Sequence, residues 1–209
     1  MGAKVGGLTR GFWVAAMMGE ALAFAATGGA VAHPHVFITN VTSFVFEGRK
    51  VVAIRQAWEF DDVFSAVLLQ DFDADADGEF DVKETAELRS QAFDALKDYN
   101  YFTYVRIGGE SVPSKSVQGL QISNNLGRVT YSFTIPFDPP LDPAERTIAV
   151  SIYDESYYID ISPDAVDPVR LEGDYSPACQ FRVGEDEGNP IYYGAVLPIA
   201  SWLTCKPAS

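Results

Sequence analysis

The strongest constraint on the fold is an alternation of apolar and polar residues with the period of two that half-buried β-strands produce. The apolar members of the two clearest stretches are Val129, Tyr131, Phe133, Ile135 and Phe137, then Ile148, Val150 and Ile152. Further strand candidates cover residues 36–46, 49–60, 102–107, 117–122, 157–161 and 179–183, with Gly, Asn, Asp and Pro in the breaks. Seven or eight short strands predict a mainly β, β-sandwich-like domain.

One part of the chain carries a helical pattern instead. Residues 62–69 and 82–98 repeat apolar side chains every three to four positions. In the second stretch the predicted stripe consists of Leu88, Ala92, Ala95, Leu96 and Tyr99. The sequence therefore predicts an α insertion, a helix–loop–helix unit at about residues 62–98, between the strands.

The loop between these helices, Asp73 to Glu84, has the spacing D-x-D-x-D-G-x5-E of an EF-hand calcium loop. Calcium is a hard ion that takes several oxygen ligands. The predicted ligands are the carboxylates of Asp73, Asp75 and Asp77, the backbone carbonyl of Glu79, Asp81 through a water, and both carboxylate oxygens of Glu84. The alternative interpretation is a solvated acidic loop without an ion.

EF-hands commonly occur in pairs, and this sequence has no second loop. The apolar residue of the loop, Phe80, must therefore find a neighbour in the predicted β-array. This arrangement predicts a mainly structural calcium site, in which the ion holds two helices together across an otherwise self-repelling loop.

The first 32 residues have the pattern of a secretory signal peptide. Lys4 and Arg10 precede an apolar stretch, and a run of small residues ends at Ala32. An uncleaved membrane anchor is disfavoured by Glu20 and by the short apolar span. We expect an exported, periplasmic protein whose single domain covers residues 33–209 and which does not span the membrane after cleavage.

Charge and cysteine content agree with export. The net charge of −14 argues against binding to nucleic acid or to anionic lipid and favours cations. The two cysteines, Cys179 and Cys205, are predicted to form a disulfide in an oxidising compartment, which would tie back a C-terminal tail at 184–209.

Both histidines of the chain, His33 and His35, lie at the predicted mature N-terminus. A Ser-His-Asp triad, a Cys-His pair or a His-rich zinc site would have to be built there, so an enzyme is not expected. The free α-amine and these imidazoles can chelate copper, nickel or zinc. The alternative is a polar lead-in to the first strand that Pro34 keeps extended.

A second group of polar and aromatic residues, from Tyr153 to Asp160, combines tyrosines with carboxylates. Such a group at a strand end forms either a recognition surface, a second cation site, or amphipathic strand residues whose hydroxyls remain in water.

Five segments of the chain occur in the order His33-Pro-His-Val-Phe37, Trp58-Glu-Phe-Asp61, Phe64–Leu69 leading into Asp71-Phe-Asp73, Tyr101–Arg106 and Tyr153–Asp160. Together they resemble a bacterial family, domain-of-unknown-function family 1007. The family is often described as a periplasmic component of an ABC-type transport system. The resemblance implies an accessory role in nickel, cobalt or zinc uptake, with a membrane metal transporter as partner and His33 and His35 as metal ligands.

The leading hypothesis is therefore a periplasmic, calcium-binding, non-enzymatic accessory protein of transition-metal transport. One alternative is a calcium-dependent protein-interaction module without a transition-metal role. A further alternative is a metalloenzyme that uses the N-terminal histidines.

Overall fold

The computed structural model describes residues 34–114, 116–175 and 178–206. These residues form two β-sheets, with helical segments inserted between the second and third strands. The strands are β1 Val36–Glu47, β2 Lys50–Phe60, β3 Thr103–Ile107, β4 Glu110–Val112, β5 Gln118–Asn125, β6 Arg128–Leu141, β7 Ile148–Ile152, β8 Ile159–Pro163, β9 Val169–Gly173, β10 Cys179–Glu185 and β11 Ile199–Cys205. The α-helices are α1 Asp62–Phe72 and α2 Val82–Leu88.

The first sheet has the order β5-β6-β2-β1-β8, and β9 also pairs with β1. Strands β1, β2, β6 and β5 are joined antiparallel, whereas β8 and β9 run parallel to β1. The two short strands share one edge of β1, since β8 pairs with its first half and β9 with its second. Gly173 ends β9 with a φ of +84°, and a Cβ there would lie 2.3 Å from the carbonyl oxygen of Phe46.

The second sheet has the order β10-β11-β7-β3-β4, and all of its pairings are antiparallel. One hydrophobic core joins both sheets and the helical segments. Trp58 of β2 packs edge-on against Phe133 of β6, with ring centroids 4.7 Å apart, and it also stacks near Phe102. The predicted mainly β fold with two sheets is confirmed.

Eleven strands are present among the described residues, which is more than the seven or eight that the sequence predicts. The additional strands are β4, β9 and β11. β4 has three residues, and the apolar–polar alternation of β9 (VRLEG) covers only four residues. Within the predicted tail at 184–209, Ile199–Cys205 form β11, which lies between β10 and β7 in the second sheet.

The second helical stretch is α-helical only to Leu88. A π-turn, Arg89–Phe93, follows, and then a 3-10 segment, Asp94–Phe102. Leu88 and Phe93 are both fully buried five residues apart. The wider π-turn brings positions i and i+5 to one side, whereas an α-helix would turn the second of them away. The predicted stripe is wrong at Ala95 and Tyr99, which are exposed.

Candidate metal centre

The loop from Asp73 to Glu84 begins where α1 ends and closes on the first turn of α2. At the start of α1, Asp61 is the N-cap and accepts from the backbone N–H groups of Val63 and Phe64 at 2.8 and 2.9 Å. The same carboxylate accepts from the N–H of Phe37 at 2.8 Å, which ties α1 to β1. Burial raises the pKa of Asp61, but these backbone donors and Arg128 outweigh it, so the pKa is lowered.

The carboxylates in the first half of the loop accept hydrogen bonds from backbone N–H groups of the same loop. Asp73 accepts from the N–H groups of Asp77 and Gly78, at 3.2 and 2.9 Å. Asp75 accepts from the N–H of Asp77 at 3.2 Å, and Asp77 accepts from that of Glu79 at 2.8 Å. Gly78 has a φ of +84°, a conformation that permits the reversal of the chain at low cost.

Glu84 closes the loop from the opposite side. It is the third residue of α2 and forms a capping box with Asp81, which accepts from the N–H groups of Lys83 and Glu84. In return, the Glu84 carboxylate accepts from the N–H of Asp81 at 2.9 Å and from that of Ala74 at 2.7 Å. The side chain that joins both ends of the loop is therefore held in one orientation and is only 6% exposed.

Oxygen atoms of Asp73, Asp75 and Glu84 all lie within 4.8 Å of one another. Calcium–oxygen distances are about 2.3–2.6 Å, so ligands around one ion are separated by about 5 Å at most. The three carboxylates therefore fit a single ion. Asp77 and Asp81 are not part of this group: Asp77 accepts from the N–H of Glu79, and Asp81 caps α2.

Two contacts join the loop to the first sheet. Asn124 of β5 donates from its side-chain amide to the carbonyl oxygen of Gly78 at 2.9 Å. Phe80 is half-buried against the core and shares a groove with Leu120 and Ile122 of β5. Sequence reasoning identified the need for an apolar neighbour of Phe80, but it missed Asn124, whose Asn-Asn-Leu-Gly context reads simply as a turn.

Ser65 provides a further link that the sequence did not reveal. Its buried hydroxyl donates to the carbonyl of Phe60 at 3.3 Å and accepts from the N–H of Val129 at 3.0 Å. Through this hydroxyl, α1 is fixed to both β2 and β6. The entering helix of the loop therefore has a rigid support.

Comparison with known proteins identifies the family. A family model described as "Protein of unknown function (DUF1007)" matches residues 20–192. The chain belongs to this family. It is also 30% identical over 141 residues to an uncharacterized 15.5 kDa protein in the trpE 3′ region of Spirochaeta aurantia, covering 68% of this chain and all of the relative. An uncharacterized protein of Haemophilus influenzae is 25% identical over 169 residues, or 75% of each chain.

His35 of this DUF1007 protein lies beside the segment from Tyr153 to Asp160. His33 and the predicted signal peptide at 1–32 are outside the described residues. His35 is exposed, donates its backbone N–H to the carbonyl of Tyr158 at 2.8 Å, and places its ring 5.0 Å from the Tyr158 ring. The parallel pairing of β1 with β8 brings these two parts of the chain together.

Asp154 organises the turn that precedes β8. Its buried carboxylate accepts from the hydroxyl and N–H of Ser156 and from the N–H groups of Tyr158 and Ile159, at 2.7–3.1 Å. This part of the Tyr153–Asp160 segment is therefore a folded turn and not a set of solvated strand residues.

The disulfide between Cys179 and Cys205 is confirmed. The two residues face each other directly in the pairing of β10 with β11, so the bond crosses one ladder of the second sheet. No helix among the described residues is long and apolar enough to cross a membrane.

Proposed function

We propose that this DUF1007 protein is an exported, non-enzymatic calcium-binding protein that serves as an accessory of transition-metal transport in the periplasm. The observation that carries the calcium part is the convergence of Asp73, Asp75 and Glu84, whose oxygens lie within 4.8 Å of one another in a loop with EF-hand spacing.

The chemistry of the loop favours calcium over other ions. All of the candidate side-chain ligands are carboxylates, and hard oxygen ligands suit calcium, magnesium or manganese. Zinc and copper prefer imidazole and thiolate, which this loop lacks. Magnesium requires near-ideal octahedral geometry and retains waters, whereas a bidentate Glu84 at the last position suits the larger ion.

The proposed role of the calcium is structural. The first two ligand residues follow α1 and the third lies on α2, so one ion would join the two helices. An ordered loop would also stabilise the position of β5, because Asn124 and Phe80 connect the loop with that edge strand. Without the ion, the carboxylates of the loop repel one another.

The transport role rests on the N-terminal histidines and on the family resemblance. His35 presents an exposed ring at the start of β1, where it is accessible to a nickel, cobalt, zinc or copper ion that His33 and the α-amine would also bind. The disulfide supports an oxidising compartment such as the periplasm. A membrane metal transporter is the partner that this role requires.

One observation favours the alternative of a calcium-dependent interaction module. Val82, the first residue of α2, is 89% exposed and lies at the rim of the groove that Phe80 and Ile122 line. Such an apolar edge next to a calcium loop can dock a protein partner without any transition metal.

Elemental analysis of the untagged protein, isolated from the periplasm without chelators, tests these proposals. We expect about one calcium per chain together with nickel, cobalt, zinc or copper. Glu84→Gln should lose the calcium alone, and the double variant His33→Ala, His35→Ala should lose the second metal alone. Calcium without any second metal, even after challenge with these ions, would refute the transport role and favour the interaction module.

A further inference from the structure

A second site lies in the segment that connects β7 with β8. There a cavity of about 130 Å³ opens between β8, the edge strand of the first sheet, and residues 191–199. Tyr153, Asp154, Tyr157 and Asp160 supply polar groups to its lining, and Ile161 and Ile199 contribute to apolar walls. A mostly apolar concavity with a few convergent polar groups is the usual form of a small-ligand site.

The polar side of the cavity is rigidly built. Four hydrogen bonds hold the Asp154 carboxylate, and Oδ1 uses only one of them, the bond from the N–H of Ser156. This oxygen therefore retains acceptor capacity for a ligand. Because the residue is only 4% exposed, such a ligand would meet a carboxylate largely shielded from water.

Two tyrosines beside Asp154 adopt backbone conformations that side chains rarely occupy. Tyr157 has a φ of +57° and Tyr192 a φ of +55°, and their rings pack edge-on with centroids 5.4 Å apart. Left-handed conformations of non-glycine residues cost on the order of 1–3 kcal/mol and cluster at ligand-binding positions. Of these two tyrosines, Tyr157 lines the cavity.

The hydroxyl of Tyr192 lacks a partner. It is buried and finds no hydrogen-bond partner among the described residues. Burial raises the pKa of Tyr192 most, and the nearby Asp154 and Tyr157 raise it further. The hydroxyl therefore remains protonated near the carboxylate. Buried polar groups are almost always paired, so the phenol of Tyr192 is an unused donor behind the ring of Tyr157, although Tyr192 itself is not part of the cavity lining.

The charges around the cavity specify a cation. Two of the lining residues are aspartates, and none is lysine, arginine or histidine. Arg106 of the neighbouring sheet is paired with Asp186. A divalent metal ion does not fit, because the only cluster of three carboxylate, imidazole or thiolate ligands among the described residues is the one at Asp73, Asp75 and Glu84.

We propose that this cavity binds a small alkylammonium ion. The ammonium group lies against the carboxylates of Asp154 and Asp160 and the ring of Tyr157, where charge-assisted hydrogen bonds and a cation–π contact favour it. The alkyl chain lies between Ile161 and Ile199. At about 30 Å³ for each water-sized group, the cavity holds about four such groups, which corresponds to a short-chain amine.

Three probes of the same shape separate charge from hydrophobicity: n-butylammonium, 1-butanol and butyrate. Each is titrated into the calcium-loaded protein at constant ionic strength, and binding is followed by amide and methyl NMR shifts of residues around the cavity. We expect saturable shifts with n-butylammonium, much weaker binding of 1-butanol and none of butyrate.

Two variants and one control keep the test independent of folding. Asp160→Asn preserves shape and should weaken n-butylammonium binding by about tenfold or more, since it removes one charged hydrogen-bond acceptor. Tyr157→Leu removes the aromatic ring that the ammonium group contacts and should also weaken binding. Asp174→Asn removes an exposed charge elsewhere and should bind like the wild type.

Equal binding of 1-butanol and n-butylammonium, no saturable shift, or equal weakening by Asp174→Asn would each overturn the proposal. The calcium site is tested separately: Glu84→Gln should bind n-butylammonium like the wild type, whatever its calcium content.

Discussion

Replacing Glu84 by glutamine should abolish the stabilisation that calcium gives to the folded chain, with little effect on the calcium-free protein. Two opposing effects act without calcium. The ligand oxygens of Asp73, Asp75 and Glu84 lie at most 4.8 Å apart. Two unit charges at that distance repel each other by about 3.5 kcal/mol at an effective dielectric constant of about 20, and by about 0.9 kcal/mol in bulk water. Glutamine relieves part of this repulsion.

The loss of the carboxylate also destabilises the folded protein, because it removes a hydrogen-bond acceptor. The Glu84 carboxylate accepts from the N–H of Ala74 at one oxygen and from that of Asp81 at the other, so glutamine, which has one acceptor oxygen, keeps one of these bonds and loses the other at a cost of about 1–3 kcal/mol. Glutamine also removes two pairwise repulsions, together about 2 kcal/mol at the bulk-water limit that suits the exposed Asp75. These two effects are similar in size, so the wild type and the variant should unfold within a few degrees of each other in the presence of a chelator.

Calcium should raise the unfolding temperature of the wild type above that of Glu84→Gln. Extracellular calcium modules bind with Kd of about 10⁻⁴–10⁻³ M. At about 10 mM calcium, such a site stabilises the native state by about 1.4–2.7 kcal/mol. For a chain of this size the corresponding rise in Tm is about 3–11 °C. The wild type should show this rise and Glu84→Gln should not.

Differential scanning calorimetry with and without calcium measures the effect. Glu87→Gln is the matched control, since Glu87 is an exposed glutamate on the same helix, and it should keep the full rise. Potassium chloride at equal ionic strength controls for screening of the net charge of −14. The reasoning is refuted if Glu84→Gln gains as much from calcium as the wild type, or if potassium chloride alone reproduces the gain.

Three further predictions concern the framework around the two sites. Ser65→Ala should lower the free energy of unfolding in urea by about 1–3 kcal/mol, because the buried N–H of Val129 loses its acceptor; an unchanged urea midpoint would contradict this. Gly173→Ala should displace β9 and expose its amides to hydrogen exchange, whereas Gly188→Ala, which has room for a Cβ, should behave like the wild type. Burial raises the pKa of Tyr131, so its contribution to stability is complete below about pH 10 and is lost as the pH rises further; Tyr131→Phe should flatten the fall in Tm above pH 10, and an equally steep fall would refute this cause.

Local patterns predicted much of the fold and of the candidate metal centre. The period of two placed β6 correctly, because its consecutive residues alternate between a buried and a more exposed face. It also placed β7 correctly, although all five residues of that strand are buried. The spacing from Asp73 to Glu84 likewise predicts a loop on its own, since carboxylates at alternate positions turn inward around one point. The disulfide followed from there being only two cysteines.

Features that depend on contacts between distant segments were not predicted. β9 alternates over only four residues and β11 (IASWLTC) does not alternate strictly. Each becomes a strand because a partner edge is available, β1 for β9 and β7 for β11. The π-turn at Arg89–Phe93 is set by the need to bury Phe93 with Leu88, which depends on the shape of the core they enter.

The sequence by itself determined the class of fold, the acidic loop and the cysteine pair, because each is encoded within one short segment or by composition. Only the tertiary structure decided that Asn124 supports the loop and that a cavity forms between β8 and the segment before β11. Hydrogen bonds and cavities of this kind join residues far apart in the chain. Their positions follow from strand order and register, which no single segment contains.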